Sequence, residues 1–158
     1  MKISQGTFSY LPPLADDEIE AQIRYAIGHG WAVSLEYTDD PHPRNVYWNM
    51  WGLPHFDLAD PAPFMADLRA CREAAPNGYI RANAYDRTHG RQSLRLSFIV
   101  HRPADESGFR LERQEGPDRR VRYGLRAYAT DAPAGRRYRD RDGGGTEGAG
   151  GGGTEGPR

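Results

Sequence analysis

The sequence has a single cysteine, Cys71, among its 158 residues. One cysteine excludes an intramolecular disulfide and argues against a cysteine-based structural zinc site. Chains so poor in cysteine are typical of reducing compartments, which predicts a cytoplasmic or equivalent location.

The chain also lacks a strong net charge and a long apolar run. Lys and Arg number 21 against 22 Asp and Glu, a net charge of −1, so no overall field attracts nucleic acid or an anionic membrane. No stretch approaches the ~18 apolar residues of a membrane span, and the first residues lack the apolar core of a signal peptide. We therefore expect one soluble domain that is not secreted and has neither a nucleic-acid nor a membrane partner.

No catalytic constellation stands out. A nucleophile would have to be Cys71 or a serine, but Cys71 falls at an inward helical position, where a free cysteine packs as a small apolar group. Asp39, Asp40 and His42 are possible metal ligands, yet the prolines around them favour a turn. Arginines beside tyrosines after residue 108 can indicate RNA binding, but the acidic residues among them favour a solvated or protein-facing surface. The sequence predicts no catalytic, metal-binding or cofactor-binding residue in this chain.

Glycine dominates the end of the chain, where GGGTEG begins at Gly143 and again at Gly151. A phosphate loop would need a preceding strand and a Gly-Lys-Ser/Thr ending, and both are missing from this segment. Because little apolar surface offsets the entropy of ordering, residues 139–158 are predicted to form a flexible tail.

Two helices are predicted from apolar spacing and end signals. Ile19, Ile23 and Ile27 recur at four-residue steps behind an acidic first turn, which indicates a helix over residues 16–28. Asp60 and a following proline begin a second helix, over residues 61–74, whose inward face carries the residues Phe64, Leu68 and Cys71.

Period-two alternation predicts the strands. Residues 31–38 place Val33, Leu35 and Tyr37 on one face, and residues 79–86 form a second strand of this kind. Residues 92–100 alternate most clearly, with the apolar set Leu94, Leu96, Phe98 and Val100. The runs at 108–114 and 120–130 flank a turn at Gly116, Pro117 and Asp118 and are expected to form a hairpin. This order predicts an α+β domain in which both helices cover one face of an antiparallel sheet.

Residues 47–56, YWNMWGLPHF, hold four aromatic residues and a methionine in a segment that Gly52 and Pro54 force to turn. With GTFSYLPPL before it and DRTHGRQSLRLSFIVHRP after it, this segment resembles the small subunit of form I ribulose-bisphosphate carboxylase/oxygenase (RuBisCO). The resemblance covers residues 3 to 138. His55 stands where the family commonly has methionine.

The resemblance implies a four-stranded antiparallel sheet covered by two helices. It also implies a non-catalytic subunit that caps an octamer of large subunits and binds other copies of itself. The large chain would carry the magnesium and the catalytic lysines for carboxylation or oxygenation of ribulose 1,5-bisphosphate in the Calvin cycle. The short DDPHPRN connection and the C-terminal hairpin resemble those of red-type small subunits and favour form IC, and in such assemblies the hairpin enters the central channel. A bacterial cytoplasm is the location expected on this basis.

The resemblance divides the chain into an α+β domain (1–107), a hairpin extension (108–138) and a tail (139–158). Aromatic and arginine side chains are favoured at interfaces, and one of the two tryptophans Trp48 and Trp51 is expected in the domain's own core. The predicted interface residues are Arg44, Tyr47, Trp48, Trp51, Pro54, Phe56, Phe109, Arg110, Leu111, Arg122, Tyr123 and Arg126, of which the hairpin arginines would pair with acidic residues of other chains. Two alternatives are a stand-alone ligand-binding regulatory module and a small enzyme that uses Cys71 with a histidine.

Overall fold

The computed structural model describes residues 13–40, 47–88, 90, 93–104, 106, 108–135 and 137. The predicted tail therefore lies outside the described residues, and so do Arg44 and His42. The helices and strands are α1 (Asp16–Gly28), β1 (Ala32–Thr38), β2 (Asn49–His55), α2 (Ala62–Ala74), β3 (Tyr79–Asp86), β4 (Ser93–His101), β5 (Phe109–Glu115) and β6 (Val121–Ala127). No helix among these residues is long and apolar enough to span a bilayer.

The ends of the helices follow from local chemistry. The Glu18 carboxylate accepts the N–H of Ala15 at 2.8 Å and satisfies a free donor where α1 begins. Gly30, with φ of +69°, takes the left-handed conformation that ends α1. The Asp60 carboxylate accepts the N–H of Ala62 at 2.8 Å and so satisfies a free donor where α2 begins, one residue later than predicted and with Pro61 in the N-cap position.

Four strands form one antiparallel sheet in the order β2-β1-β3-β4, and both helices pack on the same face of it. One core joins the apolar stripes of the helices to the inward residues of the strands: Ile19, Ile23, Ala26, Val33, Leu35, Phe64, Met65, Leu68, Cys71, Ile80, Ala82, Ala84, Leu96, Phe98 and Val100. This arrangement confirms the predicted α+β fold.

Leu94 corrects the predicted core face of β4. The sequence places it with the inward residues, but the side chain is 54% exposed. The register shifts between the pairs Ala84↔Leu96 and Tyr85↔Leu94, so that Arg95 is an extra residue on β4. Because a slip of one residue turns every side chain beyond it to the other face, Leu94 leaves the core.

The strands β5 and β6 form a separate two-stranded sheet whose two faces differ. The pairs Phe109↔Ala127, Leu111↔Leu125, Arg113↔Tyr123 and Glu115↔Val121 lie on one face; Arg110↔Arg126, Glu112↔Gly124 and Gln114↔Arg122 lie on the other. The predicted hairpin is present, but its second strand ends at Ala127, and a 3₁₀ helix (Tyr128–Asp131) replaces the strand expected up to Thr130.

We expect Leu96→Ala to lower the free energy of unfolding by about 2–5 kcal/mol, because it removes a buried side chain from the core. Leu94→Ala is the matched control and should change it by no more than about 0.5 kcal/mol. Urea unfolding of both variants measures the difference. Equal losses in the two variants would contradict the register shift.

Candidate subunit interface

A bulge in β2 pushes apolar side chains away from the domain. Between the pairs Val33↔His55 and Leu35↔Trp51, β1 advances by two residues and β2 by four. Gly52 lies in the bulge with φ of +61°, a left-handed conformation that favours glycine. The extra length leaves the Leu53 side chain 82% exposed.

The exposed apolar residues of this segment form a surface that we call the β2 surface: Tyr47, Met50, Leu53 and Phe56. Their exposed fractions run from 49% at Met50 to 87% at Tyr47. Tyr47 and Phe56 were predicted at the interface, and Pro54 is half-buried. Met50 and Leu53 were missed, because their exposure depends on a bulge that apolar composition does not reveal.

The two tryptophans have different surroundings. Trp51 is half-buried, packs against the core and meets the ring of Tyr37 edge-on, with 5.9 Å between centroids. Trp48 lies outside the core cluster, and the guanidinium of Arg81 stands 4.3 Å from the centroid of its ring. Trp51 is therefore the tryptophan that belongs in part to the domain's own core.

Arg81 is held in turn by Glu36, its neighbour across β1 and β3. The Nε and Nη2 groups of Arg81 donate to Oε2 of Glu36 at 2.7 and 2.6 Å. Only 19% of the Arg81 side chain and 13% of the Glu36 side chain are exposed. A shielded ion pair of this geometry fixes the guanidinium and, through it, the position of the Trp48 ring.

His55 links β2 to α2. Its Nε2 lies 2.8 Å from Oδ2 of Asp67, and its ring meets Phe64 edge-on at 6.3 Å. His55 thus has a polar partner on the neighbouring helix. It stabilises the end of β2 from which the bulge departs.

Cys71 is fully buried, as its helical spacing predicts. Burial, and to a lesser extent the Asp67 carboxylate, raises the pKa of the Cys71 thiol to about 11. Since the thiolate is the nucleophilic form, this environment works against catalysis by Cys71.

Asp39 and Asp40, which the sequence offers as possible metal ligands but predicts to lie in a turn, have an arginine as their neighbour. Asp39 and Asp40 face the Arg137 guanidinium, with Oδ1 atoms 3.3 and 3.9 Å from its Nη1. Among the described residues, no group of three or more His, Cys, Asp or Glu side chains is placed to hold a metal ion.

The apolar face of the hairpin is largely open. We call its members Phe109, Leu111, Val121, Tyr123 and Leu125 the hairpin surface. Leu111 and Tyr123 are 66% and 63% exposed, and Val121 and Leu125 are also exposed. Phe109, Leu111 and Tyr123 were predicted interface residues, and the structure brings them together on one face.

The opposite face of the hairpin carries the predicted interface arginines, two of which have acidic partners within the chain. Arg110 donates from Nη1 and Nη2 to the two carboxylate oxygens of Asp131 at 2.6 and 2.9 Å. These hydrogen bonds raise the pKa of Arg110 above its usual value and lower the pKa of Asp131. Arg126 lies 3.5 Å from both Glu112 and Asp131. Both arginines therefore have acidic partners within the chain, whereas Arg122 is exposed at the end of β6 nearer the turn.

We expect the Cys71 thiol of the folded chain to react slowly with a thiol reagent at pH 8, because a pKa near 11 instead of 9.0 lowers the thiolate fraction about hundredfold. The control is the same reaction in denaturant, where the thiol is accessible. Equal rates in the folded and unfolded chains would contradict the burial of Cys71 and revive it as a nucleophile.

The comparisons with known proteins agree with this geometry. The family model for ribulose bisphosphate carboxylase, small chain, matches residues 5–103. The ribulose bisphosphate carboxylase small subunit of the red alga Cyanidioschyzon merolae is 57% identical over 138 residues, which cover 87% of this chain and all of that protein. The chromosomal small subunit of Cupriavidus necator is 56% identical over 139 residues, with the same two shares.

A solved structure has the same fold. A chain of RuBisCO from Galdieria partita superposes with a TM-score of 0.80 at 46% identity, covering 87% of this chain and all of that one. The family match spans more than half of the sequence, and relatives this similar are matched over their full length. The chain therefore belongs to the ribulose bisphosphate carboxylase small-chain family.

Proposed function

We propose that this chain, a non-catalytic small subunit of RuBisCO, assembles and stabilises an octamer of large catalytic subunits through the β2 surface and the hairpin surface. One observation carries the proposal. Of the eleven large apolar residues that are exposed among the described residues, four lie within residues 47–56 and five within residues 109–131. Such concentration of exposed apolar surface marks an interaction site.

The β2 surface is suited to enter a pocket of a partner. Leu53 projects from a bulge whose backbone is fixed on both sides, by Trp51 in the core and by His55 on α2. Burying one such side chain contributes roughly 1.5–3 kcal/mol. Because the bulge already holds Leu53 outward, binding would cost little ordering entropy.

The exposed apolar side chains of the hairpin surface would be stabilised by a partner that packs against them. A two-stranded sheet is at best marginally stable by itself, and this one pairs with no strand of the main sheet among the described residues. Arg110 and Arg126 on the other face already have acidic partners within the chain, so we expect the apolar face to bind the partner. Copies of the same hairpin, together with large subunits around a central channel, would supply the missing layer.

The remaining features of the proposal follow from the family. An equal number of small and large subunits is expected, with the magnesium and the catalytic groups on the large subunit. The hairpin and the short connection after β1 favour a red-type form IC assembly, and the domain limits at 107 and 138 stay predictions. Similar chains occur both in red algae and in bacteria. A location in the bacterial cytoplasm is therefore a proposal. The two alternatives, a regulatory module and a Cys71 enzyme, have no comparable support.

We expect Leu53→Ser and Tyr47→Ala to weaken assembly with the large subunit and to leave the melting temperature of the chain nearly unchanged, since both side chains are over 80% exposed. Native mass spectrometry of each variant mixed with the large subunit measures assembly. Tyr25→Ala, which removes a half-exposed tyrosine of α1, is the control. Full assembly of both β2 variants would rule out the β2 surface.

The double variant Leu111→Gln, Tyr123→Gln tests the hairpin surface. We expect it to fold like the parent chain, because both side chains are already more than half exposed, and to form less of the full-sized complex. Size-exclusion chromatography with a carboxylation assay follows the loss. Gln114→Ala on the opposite face is the control. A full-sized and fully active complex from the double variant would contradict the role of the hairpin.

A further inference from the structure

The hairpin is joined to the domain by the chain segments at its base. Its strands pair with each other and with no strand of the four-stranded sheet among the residues that the structure describes. The base itself is closed by a hydrogen bond at 3.1 Å from the Tyr128 N–H to the Gly108 carbonyl. The contacts made by the chain before and after the hairpin therefore decide which way the hairpin points.

The segment that leads into the hairpin is anchored at the start of β3. The Tyr79 hydroxyl donates to Oε2 of Glu106 at 2.9 Å, and Tyr79 is only 1% exposed. Arg102 also lies near that carboxylate, at 3.9 Å. This is the first of two attachment points.

The segment that follows the hairpin returns to the same corner of the sheet. We call residues 132–135 and 137 the exit segment. The N–H of Gly135 donates to Oδ2 of Asp39, and Nη1 of Arg137 lies 3.3 Å from Oδ1 of the same carboxylate. Asp39 directly follows Thr38, and Thr38 pairs with Tyr79 across β1 and β3. The two attachment points are therefore neighbours.

Polar contacts hold the exit segment more than packing does. A cavity of about 500 Å³ remains beside it, lined by Tyr37, Asn77, Ala134 and Arg137 among others. The Arg137 side chain is only 16% exposed. If Asp39 were removed, the remaining acidic neighbour of this shielded charge among the described residues would be Asp40, at 3.9 Å. Gly135 has φ of +77°, a conformation that favours glycine at this position.

The hairpin is also coupled to the exit segment. Asp131, at the end of the 3₁₀ helix, binds Arg110 of β5 bidentately and lies 3.5 Å from Arg126 of β6. Both strands are thus bound to Asp131, and the chain continues from Asp131 directly into the exit segment, which Asp39 contacts.

We propose that Asp39 is a positioning residue that fixes the hairpin on the domain by holding both the Gly135 N–H and the Arg137 guanidinium. With the contact between Glu106 and Tyr79, it makes a two-point attachment that restricts rotation of the hairpin about its base. The value of this restriction for assembly rests on the proposed function, in which the hairpin meets neighbouring subunits in one orientation.

The distance between the hairpin and the domain tests the proposal directly. Spin labels at Arg69→Cys on α2 and Gln114→Cys on β5 report it in the full chain, and the buried Cys71 is protected from labelling. We expect Asp39→Ala and Arg137→Ala to raise the population outside the native distance about fivefold, the factor that corresponds to an ion pair worth ~1 kcal/mol. Two conservative variants should show an intermediate population outside the native distance. Asp39→Asn keeps an acceptor for the Gly135 N–H, and Arg137→Lys keeps the positive charge.

Arg24→Ala is the matched control, because it breaks an exposed ion pair with Glu20 on α1, away from the hairpin. An unchanged distance distribution in both Asp39→Ala and Arg137→Ala would overturn the proposal. In a mixture with the large subunit, Asp39→Ala should also assemble less completely than Arg24→Ala, and equal assembly would overturn the role of Asp39 in assembly. Failure of the parent chain itself to assemble would instead refute the proposed function.

Discussion

The structure depends on the fact that its helices cover only one face of one sheet. Apolar side chains on that face share a single core, while several large apolar side chains of the β2 bulge and of the hairpin are exposed. Burying apolar surface contributes roughly 25 cal/mol per Å². A partner that covers these large side chains would therefore add stabilisation that the isolated chain lacks. The chain is therefore stable enough to fold around its core, and its remaining apolar area is available for association.

Local backbone features decide where that area appears. Gly52 allows β2 to bulge and turns Leu53 outward, whereas strict alternation in β5 and β6 collects their apolar residues on one side. On the other side of the hairpin, Arg110 and Arg126 form ion pairs with Asp131 and Glu112. The exposed apolar surface is thus the product of specific geometry, and both surfaces belong to segments fixed to the domain at their ends.

Much of the fold could be predicted from the sequence, because the helices and most strands have strong periodicity. The residues of α1 and β3 were predicted as observed, and Cys71 is buried as its spacing requires. The predicted burial of Leu94 was wrong because one extra residue in β4 turns the side chains beyond it to the opposite face of the sheet. The alternation of apolar and polar residues in the sequence shows no break at that point. The exposure of Leu53 was missed because the β2 bulge, where β2 advances four residues against two of β1, is not evident from the sequence. The partners of Arg110 depend on the 3₁₀ helix that brings Asp131 back, a contact 21 residues distant that no local pattern encodes.

Amide hydrogen exchange of the chain, alone and in complex with its large subunit, tests the central claim most directly, because it reports every segment at once. The account predicts slower exchange in the complex over residues 47–56 and 109–127, with little change on the exposed side of α1. Protection confined to α1 and α2, with both of those segments exchanging as fast as in the free chain, would contradict it.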